Sequence, residues 1–370
     1  MKYIDEFRNK NLINRIFAKI TKVMPGHNVD IMEVCGTHTQ NFFRFGLHKL
    51  LPSNLRLISG PGCPVCVSPQ EYIDRAIHFA KSKDTIILTF GDMLRVPGSN
   101  STLEKARAEG AHVFMIYSPL DSLKIARQNP QKKVIFLAVG FETTAPTIAL
   151  SILMAKKEKL KNIFFFSSLK LIPPAMGFLL KDKRLKLSAF LCPGHVSSII
   201  GTKPYEFIPE RYKIGCCVTG FEPLDILEGL YLLLRQIVRN SPEVANQYMR
   251  VVTKSGNRRA QKIILEVFKL EDASWRGLGK IPKSGLKLRD EFSQFDAEKQ
   301  FPSSSKLQTP CLSGRQANSK LQKCRCADVL KGLIDPAQCP LFGKACLPEH
   351  PYGPCMVSSE GACNAYYKYR

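Results

Sequence analysis

The strongest constraint on the fold is an alternation of short apolar runs and helical patterns between residues 29 and 220. The runs are rich in β-branched and aromatic residues, which predicts buried strands. Strands that alternate with helices build parallel sheets covered by helices on both faces, so we expect an α/β protein with two doubly wound parallel-sheet domains. The predicted strands are Val29–Val34, Leu55–Ser59, Thr85–Phe90, His112–Tyr117, Lys133–Val139, Asn162–Phe166, Leu187–Leu191 and Tyr212–Val218, and the predicted helices are Gln70–Lys81, Leu120–Asn129, Thr144–Lys157 and Pro223–Arg239.

Chain length predicts how these elements divide. The 370 residues suffice for two or three domains. We place α/β domains at 15–128 and 129–240, and a third region at 241–370 that starts as helix and irregular chain and ends as a small cysteine-rich module. The triplet Gly-Phe-Glu occurs at Gly140–Glu142 and Gly220–Glu222, which fits an internal repeat and a convenient strand-to-helix turn equally well.

Charge and hydropathy narrow the class of protein. The net charge is +23, but the basic clusters Lys156–Lys161 and Lys181–Lys186 flank predicted elements, which favours solvated faces over a nucleic-acid footprint. The N-terminus lacks a signal-peptide pattern, and no apolar stretch reaches the roughly 20 residues of a membrane helix. We therefore expect a cytoplasmic protein with no membrane partner, in which 13 cysteines indicate metal or redox chemistry rather than disulfides.

Six of the cysteines crowd into the C-terminal segment. So short a segment builds little core, so a metal centre or cross-links must hold it together. Structural zinc sites use C-x2–4-C hooks, which are missing here, whereas an iron–sulfur cluster takes four thiolates at irregular spacing. The pattern favours a cluster over zinc or disulfides and leaves two thiols for a redox pair. The cysteines are Cys324, Cys326, Cys339, Cys346, Cys355 and Cys363, and spacing alone does not divide them.

Two further cysteine motifs follow the first two predicted strands. Gly60–Cys66 places Cys63 and Cys66 at a helix entrance, where reversible disulfide or iron chemistry is favoured over half of a zinc site. Cys35 ends a strand, at the edge where α/β sheets bind ligands, and His38 follows it. A ligand site and a buried cysteine with a hydrogen-bonded histidine fit this second motif equally.

Other strand ends supply polar candidates. Cys192 is interpreted as a core residue and the nearby His195 as a polar site residue. Asp92 and Glu142 also end strands and can bring carboxylates to the same cleft. Cys216, Cys217 and Cys311 lie in no motif and are predicted to be structural.

Together these motifs resemble the HypD family of NiFe-hydrogenase maturation proteins. The resemblance covers nearly the whole chain, except that Gln40 stands where many members carry histidine, so no ligand role is expected there. The matching segments are Cys35–Thr39, Gly60–Cys66, Gly91–Gly98, Gly140–Pro146, Cys192–Ser197 and the tail from Cys324 to Cys363.

The resemblance implies an assembly scaffold with redox activity rather than a conventional turnover enzyme. With the partner HypC, the family holds an iron that receives two cyanides and one carbon monoxide. HypE delivers the cyanide, which it makes with HypF from carbamoyl phosphate, and the finished unit passes to the hydrogenase large subunit. Cys35 resembles the family's iron ligand, shared with a cysteine of HypC, and Cys63 and Cys66 resemble its redox-active pair.

The tail resembles ferredoxin–thioredoxin reductase. That likeness implies that Cys324, Cys339, Cys346 and Cys363 hold a 4Fe–4S cluster and that Cys326 and Cys355 form the adjacent dithiol. His38, Asp92, Glu142 and His195 are then expected to give hydrogen bonds or protons to the growing iron ligands.

Two other functions remain open from the sequence. A stand-alone iron–sulfur thiol–disulfide reductase would share the cluster and both dithiols without needing Cys35 or a stable partner. A nucleic-acid-binding iron–sulfur protein rests on charge alone and predicts salt-dependent binding.

Overall fold

The computed structural model describes residues 5–302 and 324–370, so Cys311 lies outside the described residues. Within them, the helices are α1 (Lys10–Val23), α2 (Gly36–Arg44), α3 (Pro64–Val67), α4 (Gln70–Ala80), α5 (Leu103–Ala108), α6 (Asp121–Gln128), α7 (Ala145–Lys157), α8 (Ile172–Leu179), α9 (Gly194–Ile200), α10 (Phe207–Tyr212), α11 (Pro223–Arg239), α12 (Arg258–Val267), α13 (Ala297–Gln300), α14 (Cys326–Leu330), α15 (Pro354–Val357) and α16 (Ala362–Tyr369). The strands are β1 (Val29–Glu33), β2 (Leu55–Ser59), β3 (Thr85–Thr89), β4 (His112–Met115), β5 (Lys133–Gly140), β6 (Ile163–Lys170), β7 (Ala189–Pro193), β8 (Gly215–Thr219), β9 (Val244–Asn246), β10 (Phe268–Trp275) and β11 (Gly279–Leu288). Short 3₁₀ helices occur at Asp5–Arg8, Leu47–Lys49, Gly91–Arg95, Lys203–Tyr205, Asp290–Phe295 and Pro336–Gln338.

The strands form two sheets, which confirms the α/β class. Sheet A has the order β2-β1-β7-β8-β9, and all its pairings are parallel. Sheet B has the order β10-β11-β6-β5-β3-β4, in which β6, β5, β3 and β4 pair in parallel. The eight predicted strands and four predicted helices are all present within a few residues, and most of them coincide with a buried apolar run or an amphipathic stripe.

One prediction about this fold was wrong. The chain after the expected helix, which is α12, was predicted to be irregular, yet β10 and β11 form an antiparallel hairpin that adds to β6. Charged side chains and a register shift between Glu271 and Ala273 interrupt the two-residue period of β10, so its strand pattern is weak. Sheet B is therefore mixed rather than purely parallel.

The chain order of the strands differs from their order in the sheets. Sheet A contains β1 and β2 together with β7, β8 and β9. Sheet B contains β3 to β6, which lie between these groups in the chain, and the later hairpin of β10 and β11. Strands from 15–128 and from 129–240 thus occur in both sheets, and the proposed domain boundaries stay a prediction.

Apolar packing connects both sheets to the C-terminal module. One contiguous buried cluster includes Met32 of sheet A, Ile135 of sheet B, and Cys346, Cys355 and Cys363 of the module. Burial of this kind contributes about 25 cal/mol for each Å² of apolar surface, so the module is held to the body by the main core. No helix among residues 5–302 and 324–370 has the length and apolarity needed to cross a membrane.

Candidate functional site

The candidate site is a pocket of about 420 Å³ at the carboxyl ends of strands from both sheets. Sheet A contributes residues that follow β1, β2 and β7, and sheet B contributes residues that follow β5. Parallel sheets bind ligands at this edge, because the loops after neighbouring strands converge there. Cys35, Gly62, Thr144, His195 and Glu360 are among the residues that line the pocket.

Two loops approach each other closely beside Cys35. A Cβ atom at Gly62 would lie 2.2 Å from the Cys35 nitrogen and 2.4 Å from its Cα atom. The Gly36 amide also donates a hydrogen bond to the Gly62 carbonyl at 3.0 Å. Only glycine permits this approach, which brings the Cys63–Cys66 loop against the cysteine at the end of β1.

A buried carboxyl group holds the backbone at Cys35. The Cys35 amide donates to Glu33 Oε2 at 2.9 Å, and the Thr39 hydroxyl donates to Glu33 Oε1. Burial raises the pKa of Glu33 to about 8. Burial, followed by the nearby charge of Glu360, raises the pKa of Cys35 to about 12, so its sulfur is a neutral thiol until a bound cation stabilises the thiolate. Sequence reasoning missed Glu33, since a charged residue inside an apolar run gave no functional signal.

The C-terminal module supplies one wall of the pocket through Glu360. The Thr37 hydroxyl donates to Glu360 Oε1 at 2.7 Å, and a Cβ atom at Gly36 would lie 2.5 Å from the Glu360 Cβ atom. Burial raises the pKa of Glu360, and Asp92 raises it further. Glu360 lies within the tail segment that matches the family, but the sequence indicated no role for it.

Cys63 and Cys66 lie directly behind the pocket. Both are buried, and Cys63 Sγ accepts a hydrogen bond from the Cys66 amide at 3.3 Å. The Cys66 thiol lies 3.7 Å from the Pro354 carbonyl oxygen and contacts the Cys355 thiol. Burial, with these neighbouring thiols, raises the pKa of Cys66. The loop therefore touches the tail as well as Cys35.

The six tail cysteines line one small, partly open cavity together with Phe342, Gly353 and Met356. Cys355 is central, because its thiol contacts those of Cys326, Cys363 and Cys66. In the described part of the chain, no three His, Cys, Asp or Glu side chains converge as a single metal ion requires. A four-iron cluster binds its thiolates at separate corners, so this cysteine-lined cavity has the donor chemistry that a cluster needs.

Of the four predicted polar residues, His195 lines the pocket and Asp92 lies near the pocket residue Glu360. His195 lines the pocket and stacks on Phe221 with the ring centroids 3.9 Å apart. The side chain remains partly exposed, but desolvation of its ring by the surrounding protein lowers the pKa of His195, which favours its neutral form. Asp92 is partly buried on the 3₁₀ helix Gly91–Arg95, close enough to Glu360 to raise the pKa of that carboxyl.

The other two face protein interior. His38 is fully buried, and its Nε2 atom lies 2.8 Å from the Gly220 carbonyl oxygen. Burial lowers its pKa to about 4. Glu142 accepts a hydrogen bond from the Ile172 amide at 3.0 Å, at the start of α8, and burial raises its pKa to about 8. Neither is among the residues that line the pocket, so both are positioned to hold loops rather than to touch a bound group.

The remaining described cysteines belong to the core. Cys192 and Cys216 lie in the large cluster between the sheets, and their thiols contact each other. Cys217 is buried on the opposite face of sheet A. Their predicted core positions are confirmed.

Comparison with known proteins agrees with the motifs. The family described as "HypD: Hydrogenase formation hypA family" matches residues 11–370. The hydrogenase maturation factor HypD of Cupriavidus necator is 43% identical over 100% of this chain and 97% of its own length, and that of Escherichia coli K12 is 42% identical over 100% and 98%. The hydrogenase expression/formation protein HupD of Azotobacter chroococcum is 44% identical over 100% and 97%. The chain therefore belongs to the HypD family of hydrogenase maturation factors.

Proposed function

We propose that this maturation factor is a cytoplasmic scaffold on which, together with HypC, an iron atom receives two cyanides and one carbon monoxide. The single observation that carries the proposal is the contact of one loop with two centres. The loop from Gly60 to Cys66 packs against Cys35 through Gly62 and touches Cys355 through Cys66.

The iron is the cargo, and Cys35 is its proposed protein ligand. Cyanide and carbon monoxide stabilise low-spin ferrous iron, for which a soft thiolate is a suitable anchor. Because the pKa of the Cys35 thiol is raised to about 12, iron binding displaces its proton. Glu33 fixes the Cys35 backbone, and Thr37, His195 and Glu360 line the space in which the diatomic ligands would sit.

The tail cysteines have the donor set for a 4Fe–4S cluster, with Cys324, Cys339, Cys346 and Cys363 as the proposed ligands. Such a cluster supplies single electrons when it is bound. Thiol contacts run from Cys326 through Cys355 to Cys66, and Cys66 lies against Cys63. Through these contacts a Cys326–Cys355 dithiol would reduce a Cys63–Cys66 disulfide and itself become a disulfide, which a bound cluster, fed by a one-electron donor, would reduce again in two one-electron steps.

The scaffold role requires partners at the pocket. HypC would share the iron through its own cysteine, HypE would deliver cyanide, and the hydrogenase large subunit would accept the finished unit. His195, which is exposed at the pocket wall, marks an open side through which these partners could reach the metal.

The test is an infrared spectrum of the protein purified anaerobically with HypC. Metal-bound cyanide and carbonyl absorb where protein does not, so wild type should show their bands. Cys35→Ala should remove the bands and hydrogenase maturation while leaving the brown colour of the tail cluster. Cys217→Ala is the matched control, since this cysteine is buried away from the pocket and its loss should leave the bands in place. Bands that persist in Cys35→Ala would contradict the scaffold proposal.

A stand-alone thiol–disulfide reductase is the second candidate, and the contact between Cys66 and Cys355 favours it equally. Cys35 separates the two functions. The reductase needs Cys63, Cys66, Cys326 and Cys355 but keeps its activity in Cys35→Ala, whereas the scaffold fails in Cys35→Ala and Cys63→Ala alike.

A further inference from the structure

We infer that Arg276 is a positioning residue that raises the reduction potential of the C-terminal cysteine centre. The inference rests on the proposed cluster and adds a residue that no motif indicated. Arg276 lies in the turn between β10 and β11, the hairpin that the sequence did not predict.

The hairpin turn is anchored on two other segments. The Arg276 amide donates to the Val67 carbonyl at 2.8 Å, and its side-chain Nε atom donates to the Ser68 carbonyl at 2.9 Å. Its Nη2 atom donates to the Pro97 carbonyl at 3.0 Å. The Ser68 and Pro97 carbonyl groups fix the guanidinium group without neutralising it, since neither carries a charge.

The same turn packs on the cysteine module. Gly277 has a φ of +81°, and a Cβ atom there would lie 2.8 Å from the Cα atom of Ala327, which follows Cys326 in the chain. The positive charge of Arg276 consequently acts on the sulfur atoms of Cys324, Cys326 and Cys355. Glu71 and Asp74 act on Arg276 from α4 and offset part of its charge.

A fixed cation changes the redox equilibrium of such a centre. A cluster in the cavity takes one electron from a one-electron reductant, and no bond forms or breaks. The reduced cluster therefore carries one more negative charge than the oxidised cluster. A neighbouring positive charge stabilises the reduced form, and its removal lowers the reduction potential.

The experiment measures this potential in the full-length protein purified anaerobically. Dithionite reduces the cluster in steps at constant pH, and electron paramagnetic resonance follows the reduced form. Arg276→Gln should lower the equilibrium constant for reduction of the cluster on the order of tenfold. For a one-electron couple this lowers the midpoint potential by about 59 mV. Arg276→Lys keeps the positive charge, so its equilibrium constant for cluster reduction should stay within about twofold of the wild-type value.

Arg289→Gln is the matched control. Arg289 follows β11 and donates to the Leu265 carbonyl at 2.8 Å, so it also bonds to backbone but does so at the other end of the hairpin. Its variant should stay within about twofold of the wild-type equilibrium.

Each outcome decides the inference. If Arg276→Gln keeps its cluster and the equilibrium constant for reduction stays within about twofold of the wild-type value, the proposed role of Arg276 is wrong. The scaffold proposal is unaffected by that result. If Arg276→Gln and Arg276→Met lose the cluster but Arg276→Lys keeps it, the positive charge is needed to retain the cluster rather than to set its potential, and the inference as stated is overturned. Loss in all three assigns Arg276 a purely structural role, and a wild-type protein without any cluster overturns both proposals.

Discussion

Replacing Gly62 by alanine should separate the two loops that meet beside Cys35. The new Cβ atom would lie 2.2 Å from the Cys35 nitrogen, 2.4 Å from its Cα atom and 2.5 Å from the Val34 carbonyl carbon. These are backbone atoms at the junction of β1 and α2, so no side-chain rotation relieves the overlap. The Gly60–Cys66 loop must therefore move by roughly 1 Å or more to restore ordinary van der Waals contact.

The cost follows from the contacts that this movement breaks. The hydrogen bond from the Gly36 amide to the Gly62 carbonyl, at 3.0 Å, contributes about 1 kcal/mol. Overpacking in a rigid buried site costs about 1–3 kcal/mol more. We expect Gly62→Ala to lower the free energy of unfolding by about 2–4 kcal/mol and to block maturation, because Cys63 and Cys66 move away from Cys35.

Thermal and urea unfolding, followed by the fluorescence of the single tryptophan, Trp275, would measure the change in the free energy of unfolding. Gly26→Ala is the control, since a Cβ atom there meets nothing within 4 Å and its stability should change by no more than about 0.5 kcal/mol. Wild-type stability together with wild-type maturation in Gly62→Ala would refute the claim that the loops are held this tightly.

Three other substitutions test individual interactions. The pKa of Glu142 rises from 4.5 to about 8 on folding, so the unfolded chain binds fewer protons than the folded chain between these pH values. The free energy of unfolding therefore falls as the pH rises through this range, by up to about 1.4 kcal/mol per pH unit. Urea titrations at pH 5 and pH 8 should show that Glu142→Gln lacks this pH dependence. Arg250→Ala leaves the fully buried Asp225 without the cation 2.6 Å away and should cost about 2 kcal/mol in urea unfolding, whereas an unchanged midpoint would mean that other donors compensate. Asn257→Ala removes the N-cap of α12, which accepts from the Ala260 amide at 3.0 Å, and should lower stability by about 1 kcal/mol, with Asn257→Asp as the conservative control.

The sequence predicts most of this fold because the central strands, β3 and β5–β8, are almost continuously buried on both faces. Leu55–Ser59 and Pro223–Arg239 were predicted with the observed bounds, since an apolar run and an amphipathic stripe each fix an element locally. The site edge was predictable for the same reason: the residues after parallel strands meet at one edge, and Cys35 and His195 do so.

Contacts between distant segments could not be predicted in this way. Glu360 reaches the pocket only because the tail packs on Gly36, and Arg276 reaches the tail sulfurs only because the hairpin packs on Val67 and Ala327. The hydrophobic periodicity of a local segment contains no information about such long-range contacts. His38 is the converse case. Its motif indicated a site residue, but its ring is buried and its Nε2 atom lies next to the Gly220 carbonyl oxygen, just after β8.

The tail couples the cysteine cavity to the pocket because a single short segment touches both. Residues 353–363 carry Cys355, whose thiol contacts Cys66, and Glu360, which bonds to Thr37 at the pocket wall. Arg95 holds this segment further by donating to the Val357 carbonyl at 3.2 Å. Close-packed groups of this kind move together rather than independently. If the proposed function holds, we therefore expect oxidation or metal loading of the tail sulfurs to shift the Glu360 carboxyl group beside Cys35, and with it the geometry of the proposed iron site.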